Sequence, residues 1–109
     1  MVRDGWLYIS GSTASGEDGA VVHPGNIARQ ADFILARMGE VLEAAGCTYA
    51  DVVMTTDYIT TTDGYRETGA VRKKYFKEPY PASTGVIVAA LLRPGALIEI
   101  DAVAKVPEK

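Results

Sequence analysis

Two carboxylates stand inside an apolar run. Leu97-Ile98-Glu99-Ile100-Asp101-Ala102-Val103-Ala104 reads as a strand, and its two-residue period places Glu99 and Asp101 together, away from Ile98 and Ile100. A partly desolvated glutamate has a raised pKa and can pass a proton to or from water. The plainer use of the same residue is a solvated outer position, and for Asp101 a surface or intersubunit ion pair. Just upstream, Pro81-Ala82-Ser83-Thr84 opens a second strand-like run that extends to Ala90. The hydroxyls of Ser83 and Thr84 can each make a neutral hydrogen bond, worth about 1 kcal/mol net. Asp57 interrupts a third run, Val52 to Thr60. A bare carboxylate in mid-strand is costly to bury unless it is paired. An edge or interface ion pair is the plainer reading of Asp57. The sharper one is a receiver for a cationic or amine-bearing ligand.

Other chemistries are poorly served. The only histidine, His23, lies before the first helix, so no Ser–His arrangement is evident. With one cysteine, Cys47, and one histidine there is no zinc set and no internal disulfide. The glycine-rich stretch from Gly11 to Gly19 lacks the Gly-Lys-Ser/Thr ending and the helix of a phosphate loop. Arg93 follows the run ending at Ala90 in a loop and could reach a cleft, but beside Pro94-Gly95 the plainer reading is an exposed residue.

The elements that must position these residues follow from periodicity. Val2 to Ser10 reads as a hairpin around Asp4-Gly5, a favoured pair for a type I′ turn. Ala20 to Val22 is a short extended piece. Ile27, Ala31, Ile34, Met38, Val41 and Ala45 recur at steps of four and three, which predicts a helix over 26–45, with Asn26 as N-cap and Gly46 just beyond its end. Val52 to Thr60 is a β-branched and aromatic strand. A second helix is predicted over 65–76, capped by Thr62 or Asp63, with Tyr65, Gly69, Arg72 and Phe76 along one side, and stopped by Pro79 and Pro81. Two strands, Ser83 to Ala90 and Leu97 to Ala104, joined by a short loop over 91–96, complete the chain. The order β-β-α-β-α-β-β is an α+β design: one mixed, mostly antiparallel sheet with two helices on one face. The strands are apolar on both faces in places, so the second face is expected to pack on another copy of the chain.

Residues 1–109 make a single domain, large enough to bury roughly 65% of its unfolded surface. The formal net charge is −3 and the only basic cluster is Arg72-Lys73-Lys74, which argues against nucleic-acid binding. No apolar run reaches transmembrane length and the N-terminus carries no signal-peptide core, so a cytoplasmic protein without a membrane partner is expected.

The chain resembles the Rid family, the reactive intermediate deaminases also called the YjgF family. The matching stretches span nearly its whole length: Tyr8-Ile9-Ser10-Gly11; Gln30 to Gly46, with its ending Leu42-Glu43-Ala44-Ala45-Gly46; Asp51-Val52-Val53 with Thr55-Thr56 and Tyr58-Ile59-Thr60; Tyr75-Phe76; Pro81-Ala82; and Leu97 to Ala104. The resemblance implies a chorismate-mutase-like fold and a homotrimer with a barrel-like core of sheets. Its clefts lie between subunits and bind a small-molecule ligand. It also implies hydrolysis of enamines and imines to 2-oxo acids and ammonia, with no metal and no organic cofactor. Glu99 stands at the family's glutamate, thought to hold the attacking water. Tyr8, Ser10 and Gly11 match a strand that lines one cleft wall. Ser83 stands where active members carry an arginine that grips the substrate carboxylate, and no neutral side chain replaces its two parallel donors. Gly69 stands where the family has a helix asparagine. The expected activity is therefore that of an arginine-lacking branch, acting on an imine, enamine or related metabolite other than 2-aminoacrylate. A non-catalytic ligand-binding or chaperone-like trimer is the alternative.

Overall fold

The computed structural model describes residues 1–108. Five strands form one sheet, in the order β1-β2-β5-β3-β4, and two helices cover one of its faces. The hairpin of β1 (Val2–Arg3) and β2 (Trp6–Thr13) turns at Asp4 and Gly5, whose φ angles of 54° and 81° are the left-handed values a type I′ turn demands. Of the extended piece around Val21, a single bridge to Ser15 remains.

Helix α1 spans Ile27–Ala44. The Asn26 side chain accepts a hydrogen bond from the Arg29 backbone N–H, and Gly46 leaves the helix at φ 77°. Ile27, Ala31, Ile34, Leu35, Met38 and Leu42 form its buried stripe. Val41, expected on that stripe, lies at its margin and is exposed, because Leu35 and Leu42 move the centre of the face away from it. Gln30 is fully buried. Its amide donates to the carbonyls of His23 and Gly95 and accepts from the Leu97 N–H, which ties the start of α1 to the start of the last strand.

β3 (Val52–Ile59) leads through the turn Tyr65–Glu67 into α2 (Thr68–Tyr75). The turn is entered by Gly64 at φ 74° with no side-chain cap, so the expected caps, Thr62 and Asp63, do not act as such. The chain returns as β4 (Ala82–Ile87), parallel to β3 and at the edge of the sheet. It then crosses to the other side of β3 and runs antiparallel to it as β5 (Ile98–Lys105). The last two strands are therefore not neighbours: β3 lies between them.

The core fills the space between helices and sheet. Ile98, Ile100, Ala102 and Ala104 of β5 and Leu7 of β2 face α1, in the alternation the sequence displays. On the opposite face Tyr8, Met54 and Val86 are exposed at 48%, 43% and 38%, an apolar area no element of the chain covers.

Candidate functional site

Glu99 belongs to the uncovered face. It pairs across the sheet with Tyr58 on one side and Thr13 on the other. Between Ile9 and Ser12 the β2–β5 ladder shifts by one residue, so Ser10 and Gly11 together oppose Asp101. This bulge seats the glutamate. A Cβ on Gly11 would stand 2.6 Å from Glu99 Oε2 and 2.8 Å from its carboxyl carbon, so the carboxylate lies directly over a backbone that only glycine leaves bare. The groove beside it, about 690 Å³, is lined by Ile9, Gly11, Thr13, Arg37, Arg93 and Glu99. Arg37 and Arg93 are held on this wall by bonds to the carbonyls of Ser15 (2.9 Å) and Gly19 (3.3 Å). Arg93 thus braces the glycine-rich loop rather than standing free.

Asp101 accepts a 3.0 Å hydrogen bond from the Tyr58 hydroxyl, and that bond pushes the phenol's pKa above its ordinary value. Tyr8 lies opposite Val103 and is half exposed on the same face. Thr84, opposite Thr56, shares this face from two strands away.

Ser83 does not. It pairs with Thr55, and the Thr55 hydroxyl contacts Ser83 Oγ at 3.4 Å on the helix side of the sheet. There Ser83 lines a second cavity, about 200 Å³, with Gly69, Arg72, Lys73, Phe76, Tyr80 and Pro81. Within one chain, then, Ser83 and Glu99 occupy opposite sides of the sheet. No single small molecule can touch both.

Asp57 is fully buried behind this second cavity and does not line it. Its Oδ2 accepts from the Tyr65 hydroxyl at 2.6 Å and pairs with the Arg72 guanidinium; its Oδ1 has no partner among the described residues. The carboxylate that read as an edge or interface pair, or as a receiver for an amine, is an interior intrachain pair. The reason is its position on the helix-facing side of a central strand, where only α2 can supply a counter-charge. Burial lowers the Arg72 pKa and raises that of the Tyr65 hydroxyl above its ordinary value. Gly85 makes room for this arrangement, since a Cβ there would meet Tyr65 Oη at 2.8 Å.

Arg72 and Tyr65 were not among the expected site residues. Their signal was present: an arginine and a tyrosine on the inner side of α2, opposite an acid in the strand that α2 follows. His23 and Cys47 stand outside both cavities. Among the described residues no group of three or more histidine, cysteine, aspartate or glutamate side chains gathers around a common point. Among the described residues no helix is long and apolar enough to cross a membrane.

An α+β sheet-and-helix domain with a glutamate over a bulge on its open face defines the class. Residues 1–106 match the family model described as Endoribonuclease L-PSP. The chain is 38% identical over 104 residues to human 2-iminobutanoate/2-iminopropanoate deaminase, covering 95% of this chain and 75% of that protein. Among solved structures it is similar to the Mycobacterium tuberculosis member of the YjgF/YER057c/UK114 family. There the identity is 36% and the TM-score 0.81, over 96% of this chain and 82% of the other. RidA from an Antarctic Psychrobacter superposes with a TM-score of 0.87 at 27% identity, over 96% and 84% of the two chains. The chain belongs to the Rid family.

Proposed function

We propose that this chain is an imine- and enamine-hydrolysing deaminase working in clefts between the copies of a homotrimer. The observation that carries the reading is the split of the site. Glu99 and the Ser10-Gly11 bulge face out from the uncovered side of the sheet, and Ser83 faces a cavity on the helix side. The uncovered apolar face offers the surface on which a second copy would bring its Ser83 side to the first copy's Glu99. The activity named for the human relative supports the same reaction class.

In that cleft Glu99 positions a water against the carbon of a C=N bond. The water oxygen bonds to this carbon as one of its protons passes to the carboxylate, and Glu99 hands that proton to the nitrogen to give a neutral carbinolamine. Glu99 then takes the remaining hydroxyl proton as the C=O bond forms and the C–N bond breaks, and delivers it to the departing nitrogen, so that ammonia and a carbonyl product leave. Tyr8, Ser10 and Gly11 form the wall beside Glu99, Thr84 lies farther along the same face, and Ser83 meets the distal end of the ligand. With Ser83 in place of a guanidinium, carboxylate-bearing imines of the 2-aminoacrylate type are poor substrates. Small molecules, rather than nucleic acid, suit a chain of net charge −3.

The test is ammonia and 2-oxo acid release from imines generated in situ by an amino-acid oxidase, run beside an arginine-bearing relative. Turnover well below the relative's is expected, and equal turnover would remove Ser83 from the argument. On whichever imine is turned over, Glu99→Gln should lower the rate at least a hundredfold, in keeping with the 10²–10⁴ typical of a lost general base. An unchanged rate removes Glu99 from the mechanism. One observation favours a second reading, a ligand-binding trimer without chemistry: among the described residues no charged group but the Asp57-held Arg72 and the exposed Lys73 lines the Ser83 cavity. Ligand bound in the cleft with no turnover of any imine would decide for it.

A further inference from the structure

The Ser83 cavity contains a cation that the chain has disarmed. Arg72 lines it from α2, close to Ser83 and one helical turn beyond Gly69. A guanidinium has five N–H donors in a rigid fork, suited to gripping a carboxylate. Here it is drawn onto Asp57, behind the cavity wall, where the carboxylate is fully buried and further fixed by Tyr65. The pair sums to zero charge. A ligand carboxylate brought to Arg72 would add a second anion within a few ångströms of Asp57, whose Oδ1 has no donor of its own among the described residues. Because Asp57 is fully buried, that repulsion is little screened and costs more than the spare N–H groups return. Lys73 also lines the cavity. It is exposed, and its ammonium is a hydrated point charge on a flexible stem. The other lining groups, Phe76, Tyr80, Pro81 and Gly69, offer apolar surface and a single hydroxyl.

We propose that Asp57 is a specificity-determining positioning residue. It holds the Arg72 guanidinium as a charge-neutral pair behind the Ser83 cavity, and so tunes that cavity to imines and enamines bearing an uncharged group at that end instead of a carboxylate. This rests on the reading of the Ser83 cavity as the distal part of the substrate cleft. The selection is then active, built from a matched acid and base, and more than the passive absence of an arginine on β4. It also accounts for a charge in the middle of a central strand that neither the fold nor the water-handling residues require.

The test compares two isosteric probes, propionate and propionamide, binding to the oligomer as isolated. Wild type should bind propionamide at least as tightly as propionate. Asp57→Asn releases the guanidinium, and the propionate/propionamide affinity ratio should rise at least tenfold. Adding Arg72→Gln to Asp57→Asn should abolish that rise, which assigns it to Arg72 and not to Lys73. A merely structural role for Asp57 would weaken both probes together and leave the ratio unmoved. A folded Asp57→Asn variant with an unchanged ratio overturns the proposal, as does a wild type that already prefers propionate. Should Asp57→Asn fail to fold, the wild-type Arg72 Nε–H resonance decides: no shift on adding propionate is expected, and a saturable shift overturns the proposal. If neither probe binds any form, the cleft reading fails and the proposal with it, whereas a wrong ratio alone leaves the cleft reading standing.

Discussion

Tyr65→Phe is the cleanest perturbation of the interior charge pair. It removes one oxygen and keeps the ring that packs over Gly85, so no cavity opens. The lost bond is short, 2.6 Å, and its acceptor is a carboxylate. Hydrogen bonds to charged groups contribute about 1.5–3 kcal/mol. Two features set the value within that range. Oδ2 keeps its contact with Arg72, which argues for the lower half. Asp57 is wholly excluded from solvent and its Oδ1 is already unpartnered, so water does not take the place of the phenol, which argues for the upper half. A loss of about 2 kcal/mol follows. Urea unfolding at fixed protein concentration measures it, because an oligomer's midpoint depends on concentration. With a slope of about 2 kcal/mol per molar, typical of a small domain, the midpoint should fall by roughly 1 M at unchanged slope. The control is the same substitution in an Asp57→Asn background. There the phenol bonds only a neutral amide, and Tyr65→Phe should cost about 1 kcal/mol or less. Equal costs in the two backgrounds, or a loss below about 0.5 kcal/mol in wild type, would refute the claim that Tyr65 stabilises a buried carboxylate.

Gln30→Leu should also destabilise strongly. It leaves the Leu97 N–H and the Gly95 carbonyl without partners, while the His23 carbonyl keeps its bond from the Asn26 N–H; at about 1–3 kcal/mol for a buried unsatisfied group, a melting temperature lower by roughly 10 °C is expected by calorimetry. Stability should decline on the alkaline side. Burial raises the Cys47 thiol above 9.0 and the Tyr49, Tyr65 and Tyr75 hydroxyls above 10.0, while a bond to Asp101 raises Tyr58. The unfolded chain then loses these protons first. Their contribution is complete below about pH 9 and is lost as pH rises through the folded-state values. Urea midpoints that stay flat or rise between pH 9 and 11 would contradict this. Asp32 works with the opposite sign. Its bonds from Lys74 and Tyr75 hold its pKa below 3.8, so its contribution is present above about pH 4 and fades under acid.

The last strand and the first helix were legible because each writes its burial as a period. The alternation in Leu97 to Ala104 fixes which residues face α1, and Asn26 and Gly46 mark the ends of the helix chemically. The order of strands was not legible in the same way. β4 and β5 are adjacent in sequence but separated by β3, and pairing partners depend on contacts that periodicity does not encode. The two sides of the site were hidden for a related reason. Ser83 and Glu99 differ in facing only through the register of both their strands with β3. Asp57 was visible as an anomaly, but its partner could be named only once α2 was seen to lie over β3.

The bulge at Ser10-Gly11 has a further consequence for how this strand tolerates insertion and deletion. Leu7 and Ile9 face the core on one side of the bulge, and Ser12 continues that face on the other, so the count changes from odd to even. Removing one residue at this point would leave every cross-strand partner elsewhere in place and would make the ladder regular. The extra residue is thus dispensable to the architecture. A shortened strand would still fold around the same core, and would regain pairing that the bulge interrupts. What it would lose is the bare backbone beneath Glu99. At this position the chain forgoes a more regular strand to keep a seat for one carboxylate.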